Sequence, residues 1–175
     1  CQSVLENAYN PDNIEFVIYR DLDDKSVYEY IGRRKILVGE RIVLSDMFNK
    51  CQKFADDGDI YMWLSDDIIF ETRNWDKYVE EEFNRSEDKI IFVHPDDHIF
   101  RSDFGVIGFL HKNWIDTVGY FMPPYFPAWY ADTWINSLAN NLGRRIMLNE
   151  MAIRHTDGNS DETHNELKKK VNKSK

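Results

Sequence analysis

The chain has 175 residues, of which 42% are hydrophobic and 14% aromatic, and its formal net charge is −9. This size suits one compact domain with its own core, and no Gly/Ser/Pro-rich linker divides the sequence. The negative charge disfavours a nucleic-acid partner, because it repels phosphate backbones, although a divalent cation would reverse the charge locally. No apolar run reaches the ~20 residues that a membrane helix needs, and the N-terminus does not resemble a signal peptide. A cytoplasmic protein is expected, with Cys1 and Cys51 as free thiols in a reducing compartment.

The first half of the sequence predicts three strands and two helices. Strands are expected where β-branched and aromatic residues form short continuous runs, and helices where apolar residues recur every three or four positions. Ser45 is the expected N-cap of the second helix, and the third strand is apolar on both faces, as at the centre of a covered sheet. In chain order the elements are a helix in SVLENAY (3–9), strands in IEFVIYR (14–20) and KILVG (35–39), a helix in LSDMFNKCQKFA (44–55) and a strand in DIYMWL (59–64).

The second half continues the alternation of helices and strands. Gly143 is expected to end the last helix. Strands alternating with helices predict an α/β sandwich with a mostly parallel sheet, formed by one domain over residues 1–155 and followed by a polar tail over 156–175. The predicted elements are a helix (74–84), two strands (89–94 and 105–112), a short helix (113–121), an aromatic loop (122–131), a helix (132–143) and a strand or strand pair (144–155).

Acidic clusters follow two of the predicted strands. Asp21, Asp23 and Asp24 come after the first strand, and Asp66 and Asp67 come after the third. Ligands of open α/β sheets bind beyond the carboxyl ends of the strands, so these clusters predict a cation or a donor-rich ligand at one rim. The alternative is that each cluster is a solvated loop or a helix cap.

One of these segments resembles a known family. GDIYMWLSDDI (58–68) is similar to the metal-site strand of GT-A glycosyltransferases of the family 2-like group, in which an apolar run ends in a D-x-D-type motif. Four other stretches resemble segments of that family in the same order, and the likeness extends to His155. They are IEFVIYRDLDDKS (14–26), VGERIVLSDMFNKCQKFADDGD (38–59), GFLHKNWIDTVGYFMPPYF (108–126) and ADTWINSLANNLGRRIMLNEMAIRH (131–155). The resemblance implies a three-layer α/β/α sandwich and a nucleotide-diphospho-sugar transferase.

The resemblance also implies a metal site. Asp67 matches the family's metal ligand, Asp66 is a second ligand or a ribose contact, and His155 matches a late metal-binding histidine. The implied cofactor is Mn²⁺ or Mg²⁺, which acts as a Lewis acid for the leaving diphosphate. Ser65 stands where the D-x-D motif has its first carboxylate, so one contact of the motif differs. His94–His98 (HPDDH) is a second acidic patch, read as a polar loop rather than a transition-metal site.

The remaining implied roles concern the donor and the acceptor. Asp23 and Asp24 are expected to contact the base and ribose, and Arg41 the nucleotide or its phosphates. Asp132 matches the residue that deprotonates the acceptor hydroxyl, with inversion at the anomeric carbon; its alternative role is a helix N-cap. Trp129 and Tyr130 are expected to contact a sugar ring.

The expected function is therefore metal-dependent transfer of a sugar from a nucleotide diphosphate, with a UDP-sugar favoured, to a carbohydrate or other hydroxyl acceptor. Relative to the family pattern, the usual first strand is missing ahead of the first helix, and a homodimer is one way to fill the gap. Two alternatives remain open: a GT-A-derived binding module without turnover, and a receiver-like phosphotransfer domain that binds Mg²⁺.

Overall fold

The computed structural model describes residues 2–25, 32–65, 67–126 and 129–156. Over these residues the chain is an α/β protein with five helices and seven strands. None of the helices in these ranges is long and apolar enough to cross a membrane. The elements are α1 (Gln2–Glu6), β1 (Glu15–Asp21), β2 (Arg33–Gly39), α2 (Leu44–Phe54), β3 (Ile60–Trp63), β4 (Ile68–Phe70), α3 (Trp75–Arg85), β5 (Phe92–Asp96), β6 (Gly108–His111), α4 (Lys112–Val118), α5 (Ala131–Asn141) and β7 (Arg145–His155).

The strands form two sheets. β1 and β2 pair in parallel, and the other five strands follow the order β3-β6-β5-β7-β4. In the larger sheet only β5 and β7 are parallel, while β3–β6, β5–β6 and β4–β7 are antiparallel. The prediction of a mostly parallel sheet is therefore wrong. The connection between β5 and β6 covers only residues 97–107, and a parallel crossover needs about a dozen residues or more, usually with a helix.

An irregularity in β7 allows this strand to pair with two partners. Its register with β5 runs from Arg145 to Leu148 and resumes only at Ala152, opposite Asp96. The residues in between bulge, which bends a strand and increases its twist. Beyond the bend, Ile153 to His155 pair with the three residues of β4. The bend thus brings the end of β7 beside the segment that follows β3.

The core lies within the five-stranded sheet and the helices packed on it. Phe92 and Val93 of β5 and Leu110 of β6 are fully buried. α3 packs on β7, α4 on β6, and α5 on both β5 and β7. β1 differs, because all seven of its residues are only half buried although most are apolar. Its sequence predicts a buried strand, and the described structure leaves it partly exposed.

The helix boundaries confirm most of the predicted elements and correct one cap. Val43, not Ser45, is the N-cap residue of α2. Ser45 is buried, and its hydroxyl donates to the carbonyl oxygen of Phe126 at 2.8 Å. α5 ends as expected before Gly143, which adopts a left-handed φ of 65°. The predicted tail lies, apart from Thr156, outside the described residues.

Candidate functional site

A cleft of about 1780 Å³ is lined by both β1 and β3, and we call it the central cleft. Its walls include every residue of β1 and of β3. Five residues singled out in the sequence line it, namely Asp23, Asp24, Arg41, Trp129 and Asp132. Asp23, Asp24 and Arg41 precede α2, whereas Trp129 and Asp132 lie around the start of α5. The fold therefore brings to one cleft residues that are far apart in the sequence.

Arg41 is held at one end of the central cleft by acids. Its Nε donates to Asp21 Oδ2 at 2.9 Å, and its Nη2 lies 3.9 Å from Asp23 Oδ2. Asp21 is the last residue of β1, so the predicted acidic cluster does lie at a strand end. The two carboxylates orient a permanent planar cation, which suits contact with phosphate oxygens.

Asp67 and His155 are neighbours although they are far apart in sequence. The pairing of Ile68 with His155 brings the two residues together, and His155 Nδ1 lies 3.7 Å from Asp67 Oδ2. The backbone N–H of Thr156 donates to the carbonyl oxygen of Asp67 at 2.7 Å. Ser65, which lines the central cleft, donates its hydroxyl proton to Asp67 Oδ1. The predicted metal ligands are thus adjacent and one hydrogen bond from the cleft.

The donor set at Asp67 and His155 fits a manganese ion in its chemistry. A carboxylate and an imidazole are both ligands that Mn²⁺ accepts, whereas Mg²⁺ prefers oxygen donors alone. Among the described residues no group of three or more His, Cys, Asp or Glu side chains converges on one point. Asp66, the other predicted ligand, lies outside the described residues. A complete coordination shell therefore needs donors besides these two side chains.

Asp132 lies in the first turn of α5 and borders the central cleft. The N-cap residue of α5 is Tyr130, so the alternative role of Asp132 as the N-cap is wrong. One oxygen, Oδ1, accepts the backbone N–H of Thr133 at 2.7 Å. Among the described residues, Oδ2 accepts no hydrogen bond. Trp129 lines the cleft, whereas Tyr130 is largely exposed beside it.

An aromatic cluster on the surface near α5 joins Tyr125 of the predicted aromatic loop to Tyr120 and Trp134, which the sequence did not single out. The rings of Tyr125 and Trp134 are 6.2 Å apart, and Trp134 Nε1 donates to the hydroxyl of Tyr120 at 3.1 Å. Tyr125 is 66% exposed and Trp134 is 42% exposed. Partly exposed aromatic faces suit sugar rings. The sequence gives no separate signal for Trp134, because an aromatic residue within an amphipathic helix usually packs on the core.

The HPDDH segment holds its acids and histidines apart. His94 is buried in β5, and burial lowers its pKa. Asp97 Oδ1 accepts the backbone N–H groups of Ile99 and Phe100, at 3.0 and 2.8 Å. His98 instead contacts Glu71 on the surface. The segment is part strand and part turn, and the described residues do not gather there as a metal site.

Comparison with known proteins does not assign the chain to a family. No family model, no curated protein and no solved structure matches it. The functional argument therefore rests on the geometry of the central cleft and of the Asp67–His155 pair.

Proposed function

We propose that the protein is a metal-dependent glycosyltransferase of the GT-A type, which moves a sugar from a nucleotide diphosphate, preferably a UDP-sugar, to a hydroxyl acceptor. The observation that carries the proposal is the proximity of Asp67 and His155, 3.7 Å apart. Both were chosen as metal ligands from sequence segments far apart in the chain. The cleft next to them supports the proposal, because it also collects acids, one oriented arginine and an aromatic side chain.

Each residue has a role that its position permits. Arg41, oriented by Asp21 and Asp23, binds the diphosphate through its planar fork of donors. Asp24 and Asp23 accept hydrogen bonds from the base or ribose at the same end of the cleft. These contacts hold the donor so that its anomeric carbon faces the interior of the cleft, and such positioning is a large part of catalysis.

Asp132 and the aromatic residues act on the acceptor side. The carboxylate of Asp132 takes the proton of the acceptor hydroxyl as that oxygen attacks the sugar. Trp129 and the exposed ring of Tyr130 offer apolar faces to a sugar ring beside Asp132. When bound at Asp67 and His155, Mn²⁺ or Mg²⁺ would neutralise charge on the departing diphosphate. The backbone N–H of Thr156 holds the backbone of Asp67, and the Ser65 hydroxyl orients its carboxylate for that purpose.

Joint binding of metal and nucleotide tests the metal site. MnCl₂ and UDP together are expected to raise the melting temperature more than the sum of their separate effects, because each binds the folded state and the diphosphate supplies donors that the protein lacks. Asp67→Ala should abolish the additional shift, while Asp116→Ala, at an exposed position on α4, should keep it. A joint shift of full size in Asp67→Ala would refute the assignment.

A binding module without turnover is the second candidate, favoured by one observation. Ser65 replaces the first carboxylate of the motif and is hydrogen-bonded to Asp67. Asp132→Asn distinguishes catalysis from binding. Its amide oxygen still accepts the hydrogen bond from Thr133, but the side chain cannot take a proton from the acceptor. If the chain is an enzyme, this variant should lose about 100-fold or more in sugar transfer from a UDP-sugar with unchanged UDP affinity. If purified wild-type chain shows no turnover with any nucleotide-sugar, the binding module is the better description.

A further inference from the structure

Arg20, in β1, is a cation of the central cleft whose Nε has no partner. The residue is half buried and lines the cleft. Its Nε is enclosed by the protein, and among the described residues this atom makes no hydrogen bond. Taking a polar group out of water without a partner is costly, and the cost is larger when the group is charged. Such a group therefore requires an explanation, and a ligand is one.

The other face of β1 shows how the polar side chains of this strand are otherwise accommodated. Side chains of a strand alternate between its two faces, so Arg20 does not share the face that carries Glu15, Tyr19 and Asp21. Those three polar side chains are all hydrogen-bonded within the described structure. Their partners are the backbone N–H of Asp56, the carbonyl oxygen of Glu40 and the Nε of Arg41, at 2.9, 2.7 and 2.9 Å respectively. The unpaired Nε of Arg20 is therefore not a general property of this strand.

The two other arginines that line the central cleft are already paired with carboxylates. Arg33 Nη2 lies 3.1 Å from Asp56 Oδ2, and Arg41 Nε lies 2.9 Å from Asp21 Oδ2. Arg20 has no such ion pair with the carboxylates of the described residues. An anion that enters the cleft therefore finds at Arg20 a guanidinium whose charge is not already compensated.

The chemistry of a single guanidinium favours a carboxylate as its ligand. Nε and one Nη present two parallel donors, which match the two oxygens of a planar carboxylate. A carboxylate brings one negative charge, equal to the charge of Arg20, whereas a phosphate monoester brings about −1.5 to −2. The additional charge of a phosphate is unfavourable here, because Asp21 ends β1 and Asp23 and Asp24 follow it.

We propose that Arg20 binds a carboxylate on the sugar of the donor, so that the donor is the nucleotide diphosphate of a uronic acid. This inference deepens the proposed function and rests on it for the position of the diphosphate at Arg41. Arg20 directly precedes Asp21, the residue that orients Arg41. Because the sugar is bonded to the diphosphate, a charged group on the sugar is the next anion that the cleft has to bind. In this role Arg20 determines specificity for the donor and takes no part in proton transfer.

Matched nucleotide-sugars isolate the effect of the carboxylate. UDP-glucuronate and UDP-glucose differ in the carboxylate alone, and so do UDP-galacturonate and UDP-galactose. Isothermal titration in MnCl₂ should show that the acid of at least one pair binds about 10-fold more tightly than its neutral counterpart, because hydrogen bonds to charged groups are strong. Equal affinities within both pairs would contradict the proposal.

Substitution of Arg20 should remove this preference and leave binding of UDP itself unchanged. Arg20→Gln is expected to reduce the preference for the acid to about 2-fold or less. Arg20→Lys keeps the charge but not the planar fork, and should retain only part of the preference. Arg85→Gln, at an exposed position on α3 outside the cleft, should retain all of it. A full preference in Arg20→Gln, or an equal loss of affinity for UDP alone, would show that Arg20 does not bind the sugar.

Stability distinguishes a binding role of Arg20 from a structural one. Arg20→Met removes the charge but keeps a long side chain that packs like the stem of arginine. If Arg20 serves a ligand, this variant should unfold at the same urea concentration as wild type or at a higher one, because an enclosed and unpaired cation is lost. A clear loss of stability would assign Arg20 to the fold and would contradict the proposal.

The Nε–H signal of Arg20 tests the same site without a nucleotide. In a nitrogen–proton correlation spectrum of arginine side chains, this signal is the one that is absent from Arg20→Lys. Sodium glucuronate should shift it, whereas glucose in sodium chloride of the same ionic strength should not. No shift with glucuronate, or a larger shift with sodium phosphate, would overturn the assignment of a carboxylate site. Failure of UDP to bind in MnCl₂ would instead contradict the proposed function, and the response of Arg20 to glucuronate would still decide this inference.

Discussion

Gly108 lies in β6, which runs between β3 and β5, and it is closely surrounded. A Cβ at this position would be 2.7 Å from the carbonyl oxygen of Val93 and would overlap the ring of Phe92. Gly108→Ala is expected to lower the free energy of unfolding by about 1–3 kcal/mol, because a packed core does not admit an additional methyl group. Urea unfolding measures this change. Gly58→Ala is the control, since the nearest described atom to its new Cβ is 3.8 Å away, and a full-sized loss there would contradict the explanation.

His94 couples stability to pH because it is buried without charge. Its ring stacks on Phe92 at 5.6 Å, and burial lowers its pKa below 6.5. Burial also lowers the pKa of His111. The unfolded chain therefore binds protons that the folded chain rejects once the pH falls below about 6.5. This contribution to stability is complete above that pH and decreases below it, which is the direction expected for a base with a lowered pKa.

The free energy of unfolding should accordingly fall as the pH is lowered from about 7 to about 5, before the carboxylates titrate. His94→Leu should make that slope shallower, because one of the two buried histidines is gone. Urea unfolding at several pH values measures the slope. An identical slope in wild type and His94→Leu would show that His94 is not responsible.

At the residue scale, the sequence indicated which residues lie together better than it indicated their hydrogen-bond partners. Asp67 and His155 were paired through family resemblance, and the register of β4 with β7 does place them side by side. Ser45 was assigned as a cap because serine accepts hydrogen bonds from helix N–H groups. Its hydroxyl instead donates to Phe126 O, far along the chain. Tertiary partners of this kind leave no local signal.

At the element scale, Asn49 of α2 fixes the loop that precedes the aromatic cluster. Its Oδ1 accepts the backbone N–H groups of Phe121 and Met122 at 3.1 and 2.8 Å, and its Nδ2 donates to Met122 O at 2.7 Å. Asn49→Ala leaves these groups without their partner and should cost about 1–3 kcal/mol in urea unfolding. Asn140→Ala, at an exposed position of α5, should stay within about 0.5 kcal/mol of wild type. A similar loss in both variants would assign the effect to helix composition.

Helices and strands with a long hydrophobic pattern were predicted. Strands that form because a distant strand pairs with them were missed. The strand at Ile68–Phe70 was not predicted, because three apolar residues have no periodicity to distinguish them. It forms because β7 bends to pair with it. Similarly, β5 continues through Pro95 to Asp96, beyond the predicted end at residue 94. The direction of β6 also depends on a connection too short for a crossover, and that length was visible in the sequence.

At the scale of the whole molecule, alternation of strands and helices predicted the α/β class, and this is confirmed. The division of the strands into two sheets was not readable from periodicity, because β1 and β3 both carry the pattern of interior strands. Both strands line the central cleft, which holds the proposed nucleotide site. β1 contributes its last residue, Asp21, which orients Arg41.

The contact between Asp21 and Arg41 should therefore support binding of the nucleotide. Asp21 accepts a hydrogen bond from Arg41 at 2.9 Å, so Arg41 is already ordered when a diphosphate arrives. Asp21→Asn removes the charge that holds Arg41 and should weaken binding of UDP in the presence of MnCl₂ by about 2- to 5-fold. Isothermal titration measures the two affinities. Asp116→Asn, at an exposed position of α4, makes the same change away from the cleft and should leave UDP affinity unchanged. Equal affinities in wild type and Asp21→Asn would show that Asp21 does not support the nucleotide site.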